Sequence, residues 1–341
     1  MSGPVVAFRT DGSADLGFGH IRRCLTLAQA LQKHGGDTRF VVNRDPSVEG
    51  VLRKYGFGGA VVEARADHDL GQTLGHVRRW GVHALIVDSY EVSGKCFQDV
   101  HEPVIVVIDD LADRPLPVDL VVNGAVNAGE LSYCTSPRTK LLLGPQYALL
   151  REEFSHEPDR PIRAQVERVL IITGGADPCA LTPRLIDWTR EAMGGVAIDV
   201  VVGPFFTDDV VRRIEKLVEG DSSIALHRDP QHLRNLMLKC DVAIAGGGQT
   251  TYELAATGTP AVAIRLADNQ SGNLQGLSAK DALEWVGDIQ DGDTESRVIG
   301  ALRNLAEHAD KRARMSQAGR ALVDGGGAGR VAQAVLEACT Q

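Results

Sequence analysis

The chain has 341 residues, of which 43% are hydrophobic and 24% charged, a composition typical of globular proteins. At roughly 150 residues per domain, this length predicts two domains. The formal net charge of −9 disfavours non-specific binding to nucleic acid, which requires a basic surface, but it does not exclude an anionic ligand in a local pocket.

The cysteine positions and the lack of long apolar runs indicate the compartment. Cysteines occupy positions 24, 96, 134, 179, 240 and 339. None of these spacings is that of a zinc or redox pair, so we expect free thiols in a reducing compartment. No apolar run approaches the roughly 20 residues that span a bilayer. Arg9 and Asp11 interrupt the first apolar run too early for a signal peptide. We expect a cytoplasmic protein with no membrane partner.

The first half of the chain alternates short apolar runs with amphipathic stretches. The apolar runs lie at 5–10, 38–43, 60–64, 84–89 and 103–110, and a helical pattern covers 19–34. Continuous apolar runs are typical of strands buried on both faces. Their alternation with helices predicts a parallel α/β sheet.

A second series of similar elements follows a break. Residues 152–165 are polar, contain two prolines and lack periodicity, which predicts a linker between domains 1–151 and 166–341. Apolar runs then recur at 168–175, 197–204, 223–229, 241–248 and 260–266. Helices are expected over most of 294–338, with a break at 324–329, and packing of the last helices on the first domain is left open. We predict two doubly wound, Rossmann-like domains facing across a cleft, with ligands beyond the carboxyl ends of the strands.

The first candidate site is the stretch "RTDGSADLGFGHIRRC", which follows the first strand. Gly17 and Gly19 permit a tight turn, and His20 lies in the first turn of the next helix. The positive end of a helix seats anions and favours an uncharged ring that can accept a proton. Asp11 and Asp15 are close enough in sequence to orient that ring. The alternative is a histidine that only caps or packs the helix. The glycine spacing is not that of the dinucleotide-binding fingerprint.

The second candidate site is "AGGGQTTYELAATGTP", where a strand ends and a helix begins. Backbone amides and side chains here are candidates for holding a diphosphate: Gly247, Gly248, Gln249, Thr250 and Thr251. Glu253, within the first turns of the helix, is a candidate acceptor for two ribose hydroxyls. No lysine follows the glycines, which excludes a Walker loop. The alternative is that the glycines only allow the helix to pack closely on the sheet.

Two shorter stretches carry weaker signals for ligand contact. Gly174 and Gly175, in "ITGGADP", follow the first strand of the second domain and form either a ligand-binding loop or an ordinary turn. Asn269, Gln270 and Asn273, in "RLADNQSGN", have side-chain amides that suit a sugar, although such amides are also common at surfaces.

Acidic residues also follow two strands of the first domain. Asp88 and Tyr90 end a strand and are expected to point toward the cleft, with helix capping as the alternative. In "IDDLADR" (108–114) three aspartates could suggest magnesium, but we expect a solvated strand end. We predict no metal site and no cofactor.

These stretches together resemble one family of sugar-processing enzymes. The opening stretch and later blocks, in the same order, resemble the UDP-sugar hydrolases of pseudaminic acid biosynthesis and related spore-coat polysaccharide proteins. The later blocks are "VDSY", "VIDDLADRPLPVDLVVN", "LLLGPQYALLREEF", "GGADP", "TTYELAATGTPAVAI" and "ADNQ". The resemblance covers about 10–290 and implies a GT-B-like fold, because this family is similar to the GT-B glycosyltransferases.

The resemblance also implies roles for the candidate residues. His20 corresponds to the catalytic base, and Gly17 and Gly19 shape its loop. The residues expected near the sugar are Asp11, Asp88, Tyr90, Asn269 and Gln270, and Glu253 is expected at the ribose. One departure is the turn "GGGQTTYEL", where the family more often has serines.

The implied activity is release of UDP from a UDP-activated acetamido sugar, with inversion at the anomeric carbon. Transfer of the sugar to a soluble acceptor by the same base is the alternative, and a non-catalytic nucleotide-sugar-binding protein is a third possibility. The sequence does not give the oligomeric state.

Overall fold

The computed structural model describes residues 3–12, 19–62, 70–89, 92, 94–97, 100, 102–155 and 160–340. The chain divides into two compact units. One comprises Met1–Glu152 together with Gly325–Gln341, and the other comprises Glu153–Asp324. Each unit contains one all-parallel sheet. No helix in the described ranges is both long and apolar enough to cross a membrane.

The sheet of the first unit is built from seven strands, most of which are rich in apolar residues. They are β1 (Val5–Thr10), β2 (Asp37–Asn43), β3 (Gly59–Val62), β4 (Ala84–Asp88), β5 (Val104–Ile108), β6 (Leu120–Asn123) and β7 (Lys140–Leu143). Their order is β3-β2-β1-β4-β5-β6-β7, and all neighbours are parallel. The strands β1 and β4 are nearly continuous apolar runs because helices or loops cover both faces of such a sheet.

Three helices follow the first strands of this unit: α1 (Gly19–Lys33), α2 (Pro46–Lys54) and α3 (Leu70–Trp80). In α1 the buried side chains, Ile21, Cys24, Leu25, Ala28 and Leu31 among them, recur three or four positions apart, which places them on one face. In α2, Asp45 accepts hydrogen bonds from the first amides and caps the helix.

The second unit repeats this arrangement with six strands. They are β8 (Arg168–Ile172), β9 (Ala197–Val202), β10 (Ile224–Arg228), β11 (Val242–Gly246), β12 (Ala261–Arg265) and β13 (Glu284–Asp288), in the order β10-β9-β8-β11-β12-β13. Its helices are α4 (Leu181–Ala192), α5 (Asp208–Val218), α6 (Leu233–Lys239), α7 (Thr250–Ala256), α8 (Ser271–Ala279), α9 (Thr294–Glu307) and α10 (Ala309–Leu322). A large apolar core lies between this sheet and α4, α5 and α9.

The last helix, α11 (Gly327–Ala338), is part of the first unit. A Cβ atom on Gly327 would lie 2.3 Å from the carbonyl oxygen of Ala148, so only glycine allows this approach. Arg330 also donates a hydrogen bond of 2.7 Å to the carbonyl oxygen of Gln146. The helix therefore begins in direct contact with the segment that follows β7.

Three strands were absent from the elements expected from the sequence: β6, β7 and β13. The first two follow β5 without an intervening α-helix in the described chain, so the alternation of strands and helices that marks the other strands is missing there. In β13, "EWVGD", only Val286 is buried, and the strand lacks an apolar run. Short strands of this kind are formed by tertiary pairing more than by local pattern.

The strand orders define where each sheet changes direction of winding. In the first sheet this switch point lies between β1 and β4, and in the second it lies between β8 and β11. Crevices for ligands form at the carboxyl ends of the strands at such points. Most candidate residues of both units lie at or after the ends of these four strands, and Asn269, Gln270 and Asn273 follow the adjacent strand β12.

Candidate active-site residues in the two units

The His20 ring meets a carboxylate from a different strand. Asp88 is the last residue of β4 and pairs in register with Thr10, the last residue of β1. His20 lies in the first turn of α1, and its Nδ1 is 2.6 Å from Asp88 Oδ1. The Asp88 side chain is fully buried, whereas 16% of the His20 side chain is exposed. The ring thus connects a buried carboxylate with the surface at the switch point.

Two further side chains of α1 bind the same carboxylate. Arg23 donates from Nε to Asp88 Oδ2 and from Nη2 to Asp88 Oδ1, both at 2.6 Å. The buried thiol of Cys24 donates to Oδ2 at 3.4 Å. His20, Arg23 and Cys24 are spaced i, i+3 and i+4, which places them on one face of a helix. One turn of α1 therefore surrounds Asp88 with donors.

These contacts decide the charge of Asp88. Burial by itself raises the pKa of this carboxyl group, but the positive charge and hydrogen bonds of Arg23, together with those of His20, outweigh it. The net effect holds the pKa of Asp88 well below its usual range. The Cys24 thiol is affected in the opposite sense, because burial and the Asp88 charge raise its pKa well above the usual value. Asp88 is accordingly ionised, and Cys24 is a neutral thiol.

The ionised carboxylate fixes the roles of the two ring nitrogens of His20. A carboxylate only accepts hydrogen bonds, so Nδ1 must carry a hydrogen and donate it to Asp88. In the neutral ring the other nitrogen, Nε2, then carries the lone pair that can accept a proton. This arrangement suits a general base.

The expectation that aspartates adjacent in sequence orient the ring was wrong for Asp11. The Asp11 carboxylate accepts a hydrogen bond of 2.7 Å from the fully buried Arg9, and Asp88 occupies the orienting position. The loop after β1 is held at Gly12, whose amide and carbonyl both bind the side chain of Asn43. Sequence proximity misled here because parallel strands bring distant residues to one edge of the sheet.

Some of the predicted residues of this site have less structural support. Asp15, Gly17 and Tyr90 lie outside the described residues. Gly19 is exposed, and a Cβ atom at this position would meet nothing within 4 Å, so packing does not require glycine there.

The aspartates after β5 are not a solvated strand end, contrary to expectation. Asp109 is fully buried, and its Oδ1 accepts hydrogen bonds from the amides of Leu111 and Ala112. Asp110 accepts a hydrogen bond of 2.6 Å from Nη1 of Arg23. The sequence analysis did not predict a role for Arg23 or Asp110. The pair "DD" directly after β5, the strand next to β4, was the available indication of Asp110. Within the described ranges, no cluster of His, Cys, Asp and Glu has the arrangement of a metal site.

In the second unit, the glycines after β11 have different roles. A Cβ atom on Gly247 would lie 2.6 Å from Cδ1 of Leu274 on α8, so this glycine allows close packing. Gly246 is similarly constrained, because its Cβ atom would lie 2.7 Å from Cδ1 of Leu266. At Gly248 the nearest atom would be 3.9 Å away. Packing thus accounts for the first two glycines, while Gly248 leaves room for a ligand against the backbone.

Two of the side-chain amides expected at the sugar bind protein backbone. Asn273 donates from Nδ2 to the carbonyl oxygen of Gly247 at 2.8 Å and to Oγ1 of Thr251 at 3.0 Å. Gln270 accepts a hydrogen bond of 2.9 Å from the amide of Leu266. Asn269 is exposed. Asn273 and Gln270 therefore shape the turn at β11 in this structure.

The start of α7 contains the remaining residues predicted to bind the nucleotide. Gln249 and Thr250 are partly exposed, and Thr251 donates to the carbonyl oxygen of Gly248 at 2.8 Å. Glu253 is buried, with 9% of the residue exposed. These residues surround the turn that Asn273 fixes.

The glycine pair after β8 forms a specialised turn. Gly174 has a φ of +115°, a conformation that favours glycine. The following helix, α4, already has an anion at its start, because Asp177 accepts hydrogen bonds from the amides of Leu181 and Thr182 at 2.9 and 2.7 Å. An ordinary turn therefore accounts for the conformation of Gly174 and Gly175 without a ligand.

Comparison with known proteins places the chain among distant relatives. No family model matches it. It is 26% identical over 274 residues to an uncharacterized protein of Methanocaldococcus jannaschii, covering 76% of this chain and 55% of that protein. It is 22% identical over 334 residues to the spore coat polysaccharide biosynthesis protein SpsG of Bacillus subtilis, covering 96% of each.

A third relative is a longer protein of Helicobacter pylori. It is named pseudaminic acid cytidylyltransferase and UDP-2,4-diacetamido-2,4,6-trideoxy-β-L-altropyranose hydrolase, and it is 24% identical over 260 residues. The match covers 74% of this chain but only 43% of that protein. The chain thus spans about half the length of two of these relatives and nearly all of SpsG.

Solved structures share the fold along nearly the whole chain. MurG of Acinetobacter baumannii has a TM-score of 0.66 at 14% identity, covering 98% of this chain and 99% of MurG. MnaA of S. aureus, solved with UDP, has a TM-score of 0.65 at 13% identity, covering 96% and 94%. The glycosyltransferase VinC, solved with dTDP, has a TM-score of 0.63 at 14% identity, covering 98% and 99%.

These similarities agree with the architecture of two parallel sheets, each flanked by helices. By sequence the chain is a distant relative of SpsG and of the H. pylori hydrolase protein, and its fold is that of the GT-B glycosyltransferases.

Proposed function

We propose that this protein is a nucleotide-sugar hydrolase that releases UDP from a UDP-activated acetamido-deoxy sugar by inverting attack of water at the anomeric carbon. The observation that carries the proposal is the 2.6 Å contact between His20 Nδ1 and the buried, ionised Asp88. It leaves Nε2 of a partly exposed ring as a proton acceptor at the switch point of the first sheet.

The reaction follows from that acceptor. His20 Nε2 takes a proton from a water molecule as the water oxygen bonds to the anomeric carbon. The bond from that carbon to the diphosphate oxygen breaks, and its electron pair leaves with UDP. Attack and departure occur on opposite faces, so the configuration inverts. Asp88 stabilises the imidazolium that forms, and His20 later gives its proton to solvent. A positioned base of this kind contributes about 10²–10⁴-fold to rate.

We assign the nucleotide to the second unit. The turn at Gly248 and the start of α7, with Gln249 and Thr250, offer donors to the diphosphate, whereas Thr251 is buried and its hydroxyl and amide donate to the carbonyl oxygen of Gly248. Glu253 is the candidate acceptor for the ribose hydroxyls. Donors placed where charge develops stabilise the departing diphosphate in the transition state more than in the ground state. The nucleotides in the MnaA and VinC structures and the hydrolase activity in the H. pylori protein's name support a nucleotide sugar as the substrate.

Glycosyl transfer is the second candidate, and the GT-B fold favours it specifically. An acceptor alcohol in place of water would lose its proton to the same nitrogen of His20. The two candidates therefore share the base and differ only in the nucleophile.

The test is to incubate the purified protein with a panel of nucleotide sugars and to measure free nucleotide, with and without cell extracts that contain acceptors. We expect UDP release from a UDP-acetamido sugar in water alone, and NMR of the first product should show an inverted anomer. Release only with an acceptor would select the transferase, and tight UDP binding without turnover would contradict both.

His20→Ala should lower turnover by about 10²-fold or more while leaving UDP binding, measured by calorimetry, unchanged. His34→Ala is the matched control, because His34 is an exposed histidine just beyond the end of α1. Full activity of His20→Ala would remove the ring from the mechanism.

A further inference from the structure

The Arg23 side chain is engaged by carboxylates at all three of its nitrogens. Nε and Nη2 bind Asp88, and Nη1 binds Asp110, each at 2.6 Å. Only 16% of the side chain is exposed. A guanidinium ion that contacts two carboxylates in this way is poorly suited to bind a substrate phosphate directly. Its Nη2 also lies 3.2 Å from Nδ1 of His20, farther than from Asp88. The shorter contacts with Asp88 indicate a role that is exerted chiefly through that carboxylate.

We propose that Arg23 is a positioning residue for the His20–Asp88 pair. It keeps the Asp88 carboxylate ionised and holds it in the plane of the guanidinium group, so that His20 retains the tautomer in which Nε2 is unprotonated. The role in turnover depends on the hydrolase or transferase function proposed above. The effect on the tautomer of His20 does not depend on it.

The geometry shows how the tautomer would change without Arg23. Asp88 is fully buried, and a buried carboxyl group favours its neutral form unless a cation compensates. A protonated Asp88 would donate its hydrogen to Nδ1 of His20, because Oδ1 lies 2.6 Å from that nitrogen. The ring hydrogen would then be on Nε2, and this nitrogen could no longer accept a proton.

Other groups near Asp88 do not replace this cation. Among the residues that the structure describes, the titratable or charged groups at or near the end of β4 are His20, Arg23 and Cys24 on α1, Arg9 and Asp11 at the end of β1, and Asp109, Asp110 and Arg114 after β5. Arg9 binds Asp11, and Arg114 lies against Asp109 and the carbonyl oxygen of Ser89. Arg23 is the cation with two hydrogen bonds to Asp88.

The fork of Arg23 also binds the ends of β4 and β5 together. Its planar guanidinium group matches both oxygens of a carboxylate, which a lysine ammonium group cannot do. A lysine at this position would keep the charge but lose the planar constraint on Asp88. The lysine variant therefore separates the effect of charge from the effect of geometry.

The experiment measures pH–rate profiles of UDP release for Arg23→Met and Arg23→Lys. For Arg23→Met we expect kcat near pH 7 to fall by about tenfold or more, with KM changed by less than about threefold. Its acid limb should move to higher pH by about one unit or more, because Asp88 must now lose its proton without the cation. Arg23→Lys should retain an intermediate kcat.

The matched control is Arg22→Met, because Arg22 is the adjacent arginine and its side chain is exposed. It should keep the wild-type profile. In an Asp88→Asn background, Arg23→Met should cause less than about a threefold further loss, since its effect passes through Asp88. The proposal would be overturned by a change in KM with kcat unchanged or by an acid limb that does not shift. An undiminished further loss of kcat in the Asp88→Asn background would also overturn it.

A second measurement does not depend on turnover. In protein labelled with ¹⁵N-histidine, the ring shifts of His20, assigned with His20→Gln, report which nitrogen carries the hydrogen. Near pH 7 we expect the hydrogen on Nδ1 in the wild type, in Arg22→Met and in Arg23→Lys, which keeps the charge, and on Nε2 in Arg23→Met or, should that variant not fold, in the equally neutral Arg23→Gln. An unchanged tautomer in the neutral Arg23 variant would contradict the proposal, whereas absence of UDP release from the wild type would contradict only the proposed function.

Discussion

At the residue scale, Asp88 is the position on which the candidate site of the first unit depends. It is fully buried, and three side chains of one helical turn donate hydrogen bonds to it. A carboxylate in such a place is stable only as part of this set, because an unpaired buried charge is costly. Removing the charge therefore leaves Arg23 without its main partner.

Asp88→Asn should lower the free energy of unfolding at pH 7 by roughly 3 kcal/mol, the usual effect of breaking a buried ion pair. The pKa of Asp88 is lowered by folding, so its contribution is complete above the unfolded pKa of about 3.9 and is lost as pH falls below it. The difference between wild type and variant in urea denaturation should shrink below about pH 4. Asp37→Asn is the control, because Asp37 and Arg39 form a well-exposed pair worth less than about 1 kcal/mol. Equal losses in the two variants would contradict this account.

At the element scale, the turn between β11 and α7 is positioned by α8. Asn273 binds the carbonyl oxygen of Gly247, and Leu274 occupies the space where a side chain at Gly247 would be. The adjacent Gly248 has no such neighbour. The two consecutive glycines therefore differ in role: Gly247 allows close packing against α8, and Gly248 leaves space beside its backbone.

Gly247→Ala should destabilise the protein by about 1–3 kcal/mol, because its Cβ atom would overlap Leu274 and force the turn away from α8. Gly248→Ala should change stability by less than about 1 kcal/mol, since its Cβ atom would come no closer than 3.9 Å to another residue, at Nε2 of Gln270. Urea denaturation measures both. If the diphosphate approaches the backbone at Gly248, calorimetry should show weaker UDP binding by Gly248→Ala despite its normal stability. Equal stability of the two variants would show that packing does not require Gly247.

At the scale of the whole molecule, the chain leaves the first unit at Glu152 and returns to it at Gly325. The returning helix α11 begins against the segment after β7, where Gly327 contacts the backbone of Ala148. It also packs against α1, and a Cβ atom on Gly36, just beyond the end of α1, would lie 3.5 Å from Leu336. The first unit is therefore complete only when the C-terminal residues are in place.

Gly327→Ala should weaken the attachment of α11, because the added Cβ atom would lie 2.3 Å from a backbone oxygen that cannot move independently. Hydrogen exchange followed by mass spectrometry should show reduced protection in α1, α11 and residues 145–150, with protection in β8–β12 unchanged. Gly329→Ala is the control, because its Cβ atom would come no closer than 3.9 Å to His34. Loss of protection throughout both units would contradict a local effect.

The sequence by itself determined the α/β class, two series of parallel strands, and the helix start that carries His20, because periodicity and glycine turns are local signals. It did not determine β6 and β7, which lack the helices that would have separated them. Nor did it identify the partner of His20, which is 68 residues away at Asp88 rather than at the nearby Asp11. It also gave no sign that Asn273 holds the glycine turn. Only the tertiary structure decided these points, because a parallel sheet gathers the carboxyl ends of strands distant in sequence at one edge, and the contacts made there leave no periodic trace in the chain.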